Sequence, residues 1–279
     1  MEKPSTTPLL ALSDLETSQQ QVPSLEDYVP TRFSSNLVRE VWEESKKFWI
    51  LAAPVAFNRI CTYAFGVVTQ SYAGQFGTLE LAAVSLASST VGGISFGLMV
   101  GMSSAQQTLS GQAFGAKKFN LLGVYLQQSF IVMNGTVLLF SLLYIFAAPL
   151  LKAVGQLEQV ADLTGQFALC SLPQLFAYAN YFPVQKFFQS QRIVMMQTVI
   201  CGGSLACHVF LNWFLITKLG FGILVLAMAL NASWWLVVVG QCIYVVTGPF
   251  PEKWTGFSTD IFYDVWSFLK LSTSSAVMA

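Results

Sequence analysis

Residues 109–120 read LSGQAFGAKKFN and lie between two long apolar runs, so their reading decides what the chain can be. Either this is a loop that cradles phosphates, or it is a turn where a chain leaves lipid and goes back in. A nucleotide-binding loop needs G-x-x-x-x-G-K-[ST] between a strand and a helix. Here Gly111 and Gly115 are one residue too close together. Ala116 separates Gly115 from Lys117, and Lys118 takes the hydroxyl position. No strand precedes the motif, and the phosphate reading fails. The remaining reading places Gly111, Gln112, Gly115 and Lys117 in a loop at the inner mouth of a membrane domain.

The sequence on either side supports that. Of 279 residues 54% are hydrophobic and only 10% charged, far below the roughly one-quarter charge usual for soluble domains. More than half of the 14 acids fall before residue 48. Six stretches are long and apolar enough to cross about 30 Å of hydrocarbon: 48–73, 79–105, 121–148, 162–185, 193–217 and 222–247. A seventh starts at 264. Helices are the only non-barrel way to satisfy a backbone in lipid. The expected fold class is therefore an all-α polytopic membrane protein. A soluble all-α domain would have no use for six such runs.

Orientation follows from the basic residues. With the tail inside, Lys3, Arg32, Arg39, Lys46, Lys47, Lys117, Lys118, Lys186, Arg192, Lys253 and Lys270 all lie on the cytoplasmic side. Only Lys152 and Lys218 lie outside, and Arg59 falls within the first span. Residues 1–34, rich in Pro, Ser, Thr and Gln, are expected to be a disordered cytoplasmic tail. Residues 35–48, SNLVREVWEESKKF, read either as a short amphipathic helix at the interface or as the wet end of the first span. The Arg39/Glu43 and Glu43/Lys47 spacings support a helix there. Residues 248–263 are expected to be a cytoplasmic loop.

Catalytic chemistry finds no partners. His208 is the only histidine, and none of the six spans carries a carboxylate in its interior, so acid–base pairs, hydrolytic triads and metal centres are not expected. The five cysteines all sit in apolar runs and read as small buried hydrophobes. No basic patch is interleaved with aromatics, and nucleic acid is not an expected partner.

The spans instead carry scattered polarity at helical spacing. Arg59, Thr62, Gly66 and Gln70 share a stripe of the first span. Arg59 lies about 18 Å past Lys47 by helical rise. Leaving it in lipid would cost about 3 kcal/mol or more, so it either lines a wet cavity or bonds to carbonyls. In the fourth span Gln174, Tyr178, Tyr181 and Gln185 form one face, with Pro173 and Pro183 disturbing its regularity. Such a wall suits an organic solute, and plain packing is the alternative. In the fifth, His208 and Asn212 lie one turn apart below Ser204, as cavity lining or as a helix–helix hydrogen bond. Gly93, Gly97 and Gly101 form a small-residue ridge suited to close helix packing.

Four segments together resemble the eukaryotic multidrug and toxic compound extrusion (MATE) transporters, the plant DETOXIFICATION group above all. They are AAPVAFNRICTYAFGVVTQSYAGQFG, SGQAFGAKKFNLLGVYLQQSFIV, PVQKFFQSQ and LNASWWLVVVGQCIYVVTG, in family order and at family spacing. The resemblance implies twelve helices in two six-helix lobes around a central cavity, the six spans being the N-terminal lobe and 264–279 the start of a seventh helix. It implies proton- or sodium-driven antiport of organic metabolites and xenobiotics, at a vacuolar or plasma membrane, without a cofactor. On that reading the substrate-cavity candidates are Arg59, Gln70, Gln174, Tyr178, Gln185, His208 and Asn212. The expected partners are the bilayer, a small organic solute and a second lobe or full-length homologue. The family's second lobe and its coupling carboxylate have no counterpart in these residues. A truncated, non-transporting protein that associates with full-length transporters is therefore the alternative.

Overall fold

The computed structural model describes residues 36–248 and 265–278. The expected tail at 1–34 lies outside the described residues, as does nearly all of the expected loop at 248–263. Among the described residues every regular element is helical.

The first helix, α1 (Asn36–Phe76), is one rod of 41 residues, about 60 Å long by helical rise. Of the stretch 35–48, the described residues 36–48 therefore join the first span without a break. Arg39 pairs with Glu43 at 3.1 Å as the spacing implies. Lys47 pairs with Glu44 at 2.6 Å instead of with Glu43.

A second rod consists of α2 (Thr78–Leu86), a π-helical turn (Ala87–Gly92) and α3 (Gly93–Gly115). It is followed by α4 (Phe119–Ile145), the short α5 (Ala147–Ala153), α6 (Glu158–Cys170) and α7 (Leu172–Ser190). Next, α8 (Met195–Asn212) runs into a second π turn (Trp213–Lys218), and α9 (Leu224–Thr247) leads to the undescribed segment. Beyond it α10 (Val265–Met278) packs on α3.

Five of these rods are long and apolar enough to cross a membrane: Arg39–Phe76, Thr78–Gly115, Phe119–Ile145, Met195–Lys218 and Leu224–Thr247. The fourth expected span, 162–185, is divided between α6 and α7, and neither piece is among the five. Position explains this. Thirteen of the nineteen residues of α7 are buried, including Tyr181, Phe182, Phe187 and Phe188. Its buried residues also include Gln174, Gln185 and Lys186, which lower its hydropathy, while α6 has only 13 residues. By contrast α4 turns Leu138, Leu139 and Leu142 outward, at 63%, 71% and 54% exposure.

The divide falls at Ser171, two residues before Pro173, whose ring removes a backbone donor. Side chains of α9 bond carbonyls on both sides of the break: Asn231 Nδ2 donates to Cys170 O, at the end of α6, at 2.7 Å, and Trp235 Nε1 to Pro173 O, in the first turn of α7, at 3.0 Å. Pro183 stays inside α7, and Gln106 Nε2 from α3 donates to its carbonyl at 2.9 Å.

The turn at 109–120 is tighter than its sequence implies. Gly111 and Gln112 lie inside α3, and only Ala116–Lys118 leave the helix. Lys118 N–H bonds Ala113 O at 2.9 Å and Lys117 N–H bonds Phe114 O at 3.1 Å, the paired bonds of a Schellman close. The left-handed residue this needs is Lys117, with φ 58°, and no glycine takes part. The turn after α7 repeats the device with Arg192 at φ 62°. At the opposite ends of the helices the left-handed residues are Gly155 and Gly220.

Candidate functional site

A cavity of about 490 Å³ opens between α1, the first π turn, α6, α7 and α9. From α1 come Arg59, Thr62, Tyr63, Phe65, Gly66 and Gln70. The stripe visible in the sequence therefore faces this space. The π turn contributes Ser88, Ser89 and Gly92, with Gly93 and Phe96 just beyond it. From α7 and α9 come Gln174, Tyr178 and Trp234. The apolar wall is a set of interlocked rings: Trp234 meets Tyr178 at 4.6 Å, perpendicular, and Phe65 at 5.3 Å. Phe96 meets Tyr178 at 5.3 Å. Ring pairs in these arrangements gain about 0.5–1.5 kcal/mol beyond the area they bury, so the wall is stiff.

The polar groups divide by role. Gln174 Nε2 donates to the Tyr178 hydroxyl, which leaves that hydroxyl's own proton to be donated. Trp234 is 2% exposed and its indole N–H has no partner in the protein. Arg59 makes no hydrogen bond or ion pair among the described residues; the ion pairs there involve Arg39, Lys47 and Lys152. Lys152, in the last turn of α5, bonds Asp162 at 2.7 Å, and that bond raises its pKa above the ordinary lysine value.

Four sequence candidates, Arg59, Gln70, Gln174 and Tyr178, come together at this cavity. Three do not. Gln185 is buried behind the wall, where its Nε2 donates to Tyr181 Oη at 2.9 Å; Asn58 Nδ2 donates to the same oxygen at 3.1 Å. His208 and Asn212 are fully buried between helices. His208 Nε2 lies 3.1 Å from Thr69 Oγ1 of α1, and its Nδ1 lies 2.9 Å from Ser233 Oγ of α9. Asn212 Nδ2 sits 3.1 Å from His208 Nε2. The histidine thus ties α1, α8 and α9 together, the second of its two sequence readings. Among the described residues no group of three His, Cys, Asp or Glu side chains is placed to hold a metal.

Of the inner-loop candidates, Gly111, Gln112, Gly115 and Lys117 are all exposed and away from the cavity. Of the glycine ridge, Gly93 borders the cavity and Gly101 is buried. A Cβ added at Gly97 would meet nothing within 4 Å. The sequence reading missed the π turn and Trp234. No residue pattern announces a π turn, and Trp234 stands beside a second tryptophan with no cue to which one faces inward.

The MatE family model matches residues 54–214 of this chain. Protein DETOXIFICATION 30 of Arabidopsis thaliana is 48% identical over 255 residues, covering 91% of this chain and 51% of the relative. Protein DETOXIFICATION 29 from the same plant is 46% identical over 277 residues, covering 99% and 55%. The chain thus spans about half the length of the curated relatives it matches. Among solved structures, the eukaryotic MATE transporter AtDTX14 aligns with a TM-score of 0.80 at 30% identity, over 85% of this chain and 53% of that one. The Vibrio cholerae MATE transporter VcmN in its bent form shares the fold, with a TM-score of 0.68 at 18% identity over 84% of this chain and 54% of that one.

Proposed function

The chain belongs to the MatE family, with the fold of a MATE transporter lobe, and on that premise we propose that it forms one lobe of a secondary transporter that exports or sequesters organic metabolites and xenobiotics. The observation that carries this reading is the cavity. It is an aromatic-walled space of about 490 Å³ in which Arg59, Gln70, Gln174 and Tyr178 converge. Its size suits a drug-sized organic molecule, and its polar groups are few enough to orient a solute without trapping it.

Antiport driven by protons or sodium completes the reading. No Asp or Glu lines the cavity, and the described acids all lie toward helix ends. On this reading the coupling carboxylate belongs to a partner lobe. The tail and the basic turns at Lys117 and Arg192 face the cytoplasm, in a vacuolar or plasma membrane.

The test is transport into sealed vesicles. Vesicles holding residues 1–279 alone, under a proton or sodium gradient, are expected to take up little solute beyond empty vesicles. Strong gradient-driven uptake would overturn the placement of the coupling group. Adding the remaining half of a DETOXIFICATION relative is expected to restore uptake, and Gln174→Ala should reduce it. Uptake that never appears, despite stable association of the halves, would favour a non-transporting partner instead.

A further inference from the structure

Two polar side chains of the cavity, Arg59 and Trp234, can only donate, and the one charge in its lining is positive. Arg59 lies about 18 Å along α1 from Lys47, at a depth where an unpaired cation is costly. Among the described residues no carboxylate reaches it. Lys186 of α7 is not part of the lining; it is 6% exposed and its Nζ donates to Gln107 Oε1 at 2.7 Å. No Asp or Glu lines the cavity. Trp234 lines the cavity, and its indole N–H, which can only donate, is buried without an acceptor. The Tyr178 hydroxyl, already accepting from Gln174, keeps a proton to give.

We propose that this cavity selects organic anions: a flat aromatic body held among Phe65, Phe96, Tyr178 and Trp234, with its carboxylate or equivalent group on Arg59 and the Trp234 N–H. The proposal rests on the reading of this cavity as the solute site and names the class of solute it takes. A carboxylate supplies the missing counter-charge and an acceptor for the buried donor. An organic cation supplies neither, and adds its own desolvation to the repulsion from Arg59.

The test uses three probes of one shape: naphthoate, naphthamide and naphthylmethyl-trimethylammonium. Binding to the 279-residue chain in phosphatidylcholine nanodiscs is measured by equilibrium dialysis, with empty nanodiscs as background. Naphthoate is expected to bind most tightly, naphthamide more weakly, and the ammonium at background. Arg59→Gln should weaken naphthoate about tenfold or more, as loss of a hydrogen bond to a charged group implies, and leave naphthamide little changed. Arg59→Lys should keep most of the preference. Trp234→Phe, which removes only the donor, should weaken naphthoate about two- to tenfold, a second readout if Arg59→Gln fails to fold.

Ammonium binding equal to naphthoate, or a naphthoate affinity unmoved by both Arg59→Gln and Trp234→Phe, overturns the proposal while leaving a solute site in place. Absence of binding by all three probes removes the solute site itself and the proposal with it. Loss of naphthoate binding when part of the lipid is replaced by phosphatidylglycerol would assign Arg59 to a lipid phosphate, again overturning it.

Discussion

Lys117 and Arg192 do two jobs with one residue each. Both hold a left-handed conformation that costs an L-residue about 1–2 kcal/mol. Both also put a cation at the carbonyl end of a helix, where the macrodipole favours it, and on the side to which basic residues orient the chain. At the other two turns of this kind, after α5 and after the second π turn, Gly155 and Gly220 take the conformation without strain. Lys117→Gly is therefore expected to raise stability by about 0.5–1 kcal/mol, the relieved strain less the added freedom of the unfolded chain. Denaturation in detergent micelles checks this, with Lys118→Gly, at an ordinary φ of −88°, expected to destabilise. The charge of these residues could be read from the sequence. Their conformation could not, because the usual mark of a left-handed position is glycine, and the two glycines nearby, Gly111 and Gly115, lie within α3 instead.

At the scale of elements, glycine is again an unreliable mark. The ridge of Gly93, Gly97 and Gly101 carries the familiar spacing, yet Gly97 faces open space. The close approach is made by a solitary glycine. A Cβ on Gly165 of α6 would come within 2.6 Å of Ala148 Cβ and 3.2 Å of Ala148 N on α5. Gly165→Ala is expected to cost about 1–3 kcal/mol by overpacking, whereas Gly97→Ala should gain about 0.5–1 kcal/mol from helix propensity. The same micelle assay ranks the two, and equal effects would refute the packing assignment. Five of the six spans could be read from the sequence because each is a long, apolar run in one rod. The region of α6 and α7 was harder, since most of α7 faces protein and the chain breaks at Ser171. Within the site, the α1 stripe from Arg59 to Gln70 was visible as helical periodicity. The π turn was not, because it departs from that periodicity.

For the whole molecule, one crossing must be made by α6 and α7 together if the basic turns are to share a side. Ala116→Cys and Ser190→Cys are then expected to react with a membrane-impermeant thiol reagent from the same side, and Gln156→Cys from the opposite one. Reaction of Ala116→Cys and Gln156→Cys from one side would break this topology. The broken crossing has a mechanical meaning as well. A gap in a helix ordinarily acts as a joint, because unbonded carbonyls let the two halves swing. Here Asn231 and Trp235 of α9 hold the carbonyls on either side of the gap. The corner is riveted rather than free. Swinging α6 against α7 would break both bonds, at about 0.5–1.5 kcal/mol each, which favours moving α6, α7 and α9 together.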